Sequence, residues 1–123
     1  VESPLRGKAP GSIDLLVFRE NTEGEYAPIG GRLYEGTEHE VAVQACTYTR
    51  RGCARIMRAA FQAARGRRRK VTSITKSNAQ GYGMVMWDEV FADVSRQFPD
   101  VEAQSLLVDA AAMDFVRRPE HFD

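Results

Sequence analysis

Cysteine and histidine are scarce in this sequence. Cys46 and Cys53, His39 and His121 are all it has. These are too few and too widely spaced for a disulfide framework or a zinc site, so both cysteines are expected to be small reduced hydrophobes. An excess of one charge is also missing. Seventeen Lys and Arg balance 17 Asp and Glu, and no global field draws the chain to nucleic acid or to an anionic membrane. No apolar run approaches the roughly 20 residues that cross a bilayer, and the N-terminus lacks a basic-then-apolar signal pattern. The expectation is a cytoplasmic protein with no membrane or nucleic-acid partner. The phosphate-cradling patterns GxGxxG and GxxxxGK[ST] are absent too, although Gly81 and Gly83 lie close together.

What is present suits one compact domain spanning residues 1–123, since 43% of the residues are hydrophobic. Residues 1–12 carry two prolines and two glycines without periodicity and predict an irregular lead-in. The run Ile13-Asp14-Leu15-Leu16-Val17-Phe18 predicts a buried strand over 13–19. Ile29, Leu33 and Tyr34, among Pro28, Gly30, Gly31 and Gly36, mark one arm of a hairpin, and residues 40–49 its alternating, β-branched return arm. Thr49 reads as the cap of a helix with apolar positions at Cys53, Ile56, Met57, Ala60, Phe61 and Ala64. That helix should end near Arg65, with Gly66 in the left-handed conformation. A second strand is expected over 71–75, a helix over 84–98 stopped by Pro99, a third strand over 101–108 and a short helix over 110–116. Strand and helix alternate, so the fold class is α/β with one inserted β-hairpin.

Each predicted strand of this alternation delivers a polar cluster at its end: Arg19-Glu20-Asn21-Thr22-Glu23-Gly24-Glu25-Tyr26, Lys76-Ser77-Asn78, and Asp109. Ligands of open α/β sheets bind at such ends, and strands running the same way would gather the clusters at one edge. A guanidinium grips a carboxylate through two parallel hydrogen bonds. A lysine can serve as a base, a tyrosine as a proton donor, and an aspartate as one ligand of Mg²⁺ or Mn²⁺. Each residue also has a plain structural use. Arg19 could pair with Glu20 or Glu23, Tyr26 could pack in a loop, Lys76 could be solvated, and Asp109 could cap the last helix. The basic run at 65–70 lacks interleaved aromatics and reads as a solvated turn rather than a nucleic-acid surface.

Five ordered motifs carry a resemblance that spans the chain. They are residues 14–26 as just quoted, Tyr48-Thr49-Arg50-Arg51-Gly52, Thr75-Lys76-Ser77-Asn78, Trp87-Asp88-Glu89-Val90-Phe91 and Val108-Asp109-Ala110. In this order they resemble the β-decarboxylating dehydrogenases, which include isocitrate, isopropylmalate, tartrate and D-malate dehydrogenases. Glu2-Ser3-Pro4-Leu5-Arg6-Gly7-Lys8, Gly30-Gly31-Arg32 and Gly36-Thr37-Glu38-His39-Glu40 look most like the tartrate and D-malate branch.

The resemblance implies a larger enzyme, dependent on NAD and on Mg²⁺ or Mn²⁺, that oxidises a 2-hydroxy acid and expels its β-carboxylate as CO₂. The chain would be its smaller domain, carrying the dimer interface and part of the catalytic groups. Arg19 would grip the substrate carboxylate, Tyr26 would protonate the enol carbon, and Lys76 would help remove the hydroxyl proton. Asn78 would meet the substrate or the nicotinamide, and Asp109 would be one metal ligand. Lys76 and Asp109 would enter the site of a neighbouring subunit, with the hairpin over 30–48 clasping that partner. The remaining metal aspartates and the adenosine-binding loop would lie downstream, so the chain reads as an excerpt that binds neither metal nor NAD alone. Residues 79–83 and 110–114 depart from the pattern. A non-catalytic dimerisation module or gene remnant is the alternative reading.

Overall fold

The computed structural model describes residues 5–123, so Glu2, Ser3 and Pro4 of the lead-in lie outside the described residues. The elements run in the order β1 (Gly30–Leu33), β2 (Val41–Gln44), α1 (Arg50–Ala64), β3 (Lys70–Thr75), α2 (Gly83–Ser95), β4 (Glu102–Leu107) and α3 (Val108–Arg117). A single 3₁₀ turn over Pro119–His121 follows. This is an α/β arrangement, and it includes the expected hairpin.

β3 and β4 are parallel and joined through α2, with Lys70 opposite Glu102 and Thr75 opposite Leu107. A parallel pair needs a crossover of about a dozen residues, and α2 supplies it. The indole Nε1 of Trp87 donates to Ser73 Oγ at 2.9 Å, which pins α2 to β3. α1 packs on both, because its apolar residues recur on one face. Cys53, Met57, Phe61 and Ala64 meet Val90, Phe91 and Val94 in a common core that Phe98 and Val101 complete. Phe61 is fully buried, with its ring stacked on Phe98 at 5.2 Å and tilted against Phe91 at 5.6 Å.

The hairpin is a sheet of its own. β1 pairs with β2 antiparallel, Gly30 opposite Gln44 and Leu33 opposite Val41. All eight of its strand residues are exposed. The return arm expected over 40–49 is therefore short. Beyond Gln44 the arm continues through the Ala45 amide, which donates to Ile29 O at 2.8 Å, and an isolated bridge between Thr47 and Gly24.

Five further expectations need correction. Residues 13–18 form no strand. Leu16 N donates to Asp123 O at 2.8 Å, but no ladder follows, and an apolar cavity of about 190 Å³ lies between Leu15 and Val17 on one side and Val71 and Ile56 on the other. β-branched and aromatic composition reports fitness for a pleated surface, not the presence of a neighbour. Gly66 is not left-handed; that conformation falls to Arg69, φ 57°, whose N–H returns to Ala64 O at 3.1 Å. The helix expected over 84–98 ends at Ser95, and turns carry the chain on to Phe98. The last helix starts at Val108, so Asp109 lies in its first turn rather than before it. Cys53 is buried as expected, but Cys46 is exposed.

The basic run is not simply solvated. Arg67 Nε and Arg68 N donate to the Asp123 carboxylate at 3.0 and 2.8 Å, and Arg67 Nη2 reaches Asp14 Oδ1 at 2.9 Å. Burial pushes the Asp123 carboxyl up, but these arginine contacts outweigh it and leave the group below the usual carboxylate range. The pairing closes the molecule at its edge, since Lys8 also reaches Glu120 at 2.6 Å.

Candidate active site

The clusters named from the sequence fall into two pairs. Over residues 19–26 the chain folds back on itself, and the Arg19 guanidinium lies 5.0 Å from the centre of the Tyr26 ring. A cation over the face of a phenol is attracted by the ring quadrupole. This contact, rather than the alternative ion pair with Glu20 or Glu23, is where Arg19 goes. Its two acidic neighbours are engaged elsewhere. Glu20 accepts from Thr22 N at 2.7 Å, from Thr22 Oγ1 and from Arg55 Nη2 at 2.9 Å. The Thr22 hydroxyl, the Arg55 guanidinium and the Thr22 amide together hold its carboxyl down to about 2. Glu23 accepts from Thr49 N at 2.9 Å and from Thr49 Oγ1 at 2.6 Å.

The pair opens on a cleft of about 220 Å³, lined by Glu20, Glu23, Tyr48, Met84 and Trp87 as well as by Arg19 and Tyr26. Tyr48 lies between loop and helix, its ring 3.6 Å from where a Cβ at Gly24 would stand. Burial raises the Tyr48 phenol above its ordinary value, with neighbouring Cys46 and Glu25 acting the same way.

The second pair follows from strand register. β3 ends at Thr75, opposite Leu107, so that Lys76 is the first residue past the strand at the point where β4 hands over to α3. Lys76 Nζ donates to Asp109 Oδ2. The Lys76 hydrogen bond and positive charge hold the Asp109 carboxyl below the usual carboxylate range. Asn78 lies exposed in the turn after β3, which the amides of Ala79 and Gln80 close onto Lys76 O at 3.0 and 2.9 Å.

The structure thus brings Arg19 to Tyr26 and Lys76 to Asp109. Among the described residues no hydrogen bond or ion pair links one pair to the other. The cleft beside Tyr26 reaches β3 at Ile74, two residues short of Lys76. The single gathered edge expected from three parallel strands does not form, because only two of the strands exist.

A divalent cation does not fit the donor set at hand. Among the described residues no three His, Cys, Asp or Glu side chains stand close enough to hold a metal ion, and Asp109 is committed to Lys76. Nor does the cleft suit a dinucleotide: it is smaller than the roughly 300 Å³ at which drug-sized pockets begin.

Three residues of this region were not foreseen in their roles. Thr49 was expected as a helix cap, and Gly52 N does donate to its Oγ1 at 3.0 Å, but its bonds to Glu23 tie the loop to α1. Arg55 ties down Glu20, and Tyr48 fills the space between Gly24 and Gly83. A Thr cap with glycine where a capping box carries Glu was the available signal for Glu23. None existed for Arg55 or Tyr48.

Comparison with known proteins places these residues in a wider setting. The family profile described as isocitrate/isopropylmalate dehydrogenase matches residues 1–123. A probable tartrate dehydrogenase/decarboxylase of Agrobacterium vitis is 48% identical over 124 aligned positions, covering 100% of this chain and 35% of that protein. A D-malate dehydrogenase (decarboxylating) of Escherichia coli strain K12 is also 48% identical, over 100% of this chain and 34% of that protein. The crystal structure of isocitrate dehydrogenase from Methylococcus capsulatus superposes with a TM-score of 0.82 at 34% identity, covering 90% of this chain and 33% of its own. The chain spans about a third of the length of the curated relatives it matches. No helix among the described residues is long and apolar enough to cross a membrane.

Proposed function

The chain belongs to the isocitrate/isopropylmalate dehydrogenase family, and from that premise we propose that it supplies one part of a β-decarboxylating, NAD-linked dehydrogenase acting on a 2-hydroxy acid of the tartrate or D-malate kind. The observation that carries this reading is the Arg19 guanidinium over the Tyr26 ring at the mouth of a cleft. A fixed guanidinium can take a substrate carboxylate in two parallel bonds. The phenol beside it would deliver a proton to the carbon that loses CO₂ and, being half exposed, be recharged from solvent.

Lys76 takes the hydroxyl proton in this reading. It has to leave Asp109 and give up its own extra proton to solvent first, since the two now satisfy each other as ammonium and carboxylate. Asn78, exposed in the turn that follows β3, would hydrogen-bond the substrate or the nicotinamide. Asp109 offers one carboxylate to a Mg²⁺ or Mn²⁺ site that the described residues do not complete, and the steps assigned to Arg19, Tyr26 and Lys76 do not run through it. NAD would likewise be held by residues outside this chain.

The separation of the two pairs supports a site shared between two copies, with Lys76 and Asp109 of one facing Arg19 and Tyr26 of the other. The exposed hairpin, with Leu33 61% and Val43 57% accessible, is the surface proposed to clasp that copy. Residues 1–123 would then be the small, dimer-forming catalytic domain of a cytoplasmic enzyme. The commitment of Asp109 to Lys76, with no ligand cluster around it among the described residues, favours a second reading: a dimerisation module without chemistry of its own.

Spectrophotometry separates them. The chain alone, given tartrate or D-malate with Mn²⁺ and NAD, should produce no NADH; a rise in absorbance would remove the claim that it holds only part of the site. In a longer protein carrying this segment, Tyr26→Phe should cut turnover by about 10²–10⁴. Turnover unchanged by that substitution would leave the non-catalytic reading standing.

A further inference from the structure

Helix α1 begins with half of a capping box. Its N-cap Thr49 accepts from Gly52 N at 3.0 Å. The residue that would return the favour, a Glu or Gln at the third helical position, is replaced by Gly52 itself. No acidic residue stands anywhere in the first turn.

The missing carboxylate arrives from 26 residues upstream. Glu23 accepts the Thr49 amide at 2.9 Å and the Thr49 hydroxyl at 2.6 Å, leaving that hydroxyl's lone pair for Gly52 N. It also brings negative charge to the positive end of the helix. Glycine at 52 is what admits it: a Cβ there would run into Glu23 Oε2 and lie 2.7 Å from its Cδ. The next residue is fastened as well. Gly24, at φ +71°, donates to Thr47 O at 2.7 Å.

We propose that Glu23 is a positioning residue for the Arg19/Tyr26 pair. It makes the loop over 19–26 and the first turn of α1 a single unit, so that the helix end determines where guanidinium and phenol stand. Glu20 secures the Arg19 arm through Arg55 at 2.9 Å, and the Gly24 bridge secures the Tyr26 arm. Glu23 holds the crest between them. The functional weight of this rests on the proposed role of the pair; the geometry does not.

The test uses the 123-residue chain and two readings that need no substrate: the melting temperature, and the nuclear Overhauser contact between the Arg19 side chain and the Tyr26 ring. Glu23→Ala should lower the melting temperature by about 3–6 °C, the size of a lost cap, and lose most of the contact. Adding Gly52→Glu fills the space vacated by Glu23 and rebuilds the box within the helix. The double variant should regain the melting temperature without regaining the contact. A contact at wild-type strength in either variant overturns the proposal, because the carboxylate would then serve the helix alone. Where Glu23→Ala does not fold, Glu23→Gln, which keeps one acceptor and loses the other, is read the same way. Absence of enzyme activity from a longer protein would sink the proposed function and leave both readings intact.

Discussion

Single residues in this molecule that carry reactive groups also hold the chain together. Asp109 shows it most plainly. Its side chain is 70% exposed, yet the Lys76 ammonium keeps its carboxyl below the usual range. A carboxyl lowered on folding contributes stability above its unfolded value, and that contribution is lost as pH falls through the lowered one. By carbon NMR, Asp109 should therefore titrate below an ordinary aspartate, and Lys76→Met should return it toward the ordinary value. An unchanged titration in that variant would mean the ion pair does not persist in solution, as exposed pairs often do not. Arg19, Tyr26, Lys76 and Asp109 stand out in the sequence as candidates because their clusters follow predicted strands. Their partners were not legible. Nothing local in the sequence says that Glu20 turns to Arg55, 35 positions away, or that Arg19 turns to a ring.

Elements were legible where periodicity carries the signal and illegible where a neighbour does. The one-sided spacing of Cys53, Met57, Phe61 and Ala64 predicted α1 and its buried face, and Thr49 predicted its start. The parallel strands β3 and β4 were read to within a residue or two of their ends. The run over 13–18 is richer in apolar residues than either strand, but a strand exists only when another backbone answers its N–H and C=O groups, and only Leu16 finds Asp123. Gly66 failed for a different reason: three amides close onto Ala63 and Ala64, and the chain turns left-handed at Arg69, after the glycine. The strongest element-level expectation concerns the seam between α1 and α2. Phe61→Ala removes a fully buried ring from between Phe91 and Phe98 and should cost about 3–5 kcal/mol in chemical denaturation. A loss below about 1 kcal/mol would mean the seam collapses around the gap.

On the scale of the whole molecule, the core and the hairpin are built on opposite principles. The α1, α2 and β3 layers bury their apolar faces against each other, whereas Leu33, Tyr34, Val41 and Val43 are left in solvent. Apolar side chains gathered on a two-stranded ribbon, which is marginal by itself, call for a covering surface. Sedimentation at micromolar concentration should show a dimer, and Val43→Asp should shift it to monomer with the α1/α2 core intact. A monomeric wild-type chain would remove the shared-site reading. The relatives extend about three times the length of this segment. The contact of Glu23 with Gly52 also bears on how such a molecule can change by descent. A side chain gained first at 52 collides with the carboxylate, and a carboxylate lost first at 23 leaves the helix start unmet. The two positions are therefore expected to be inherited as a couple. Lineages with an acidic residue at one should carry a small residue at the other, and intermediates should be rare.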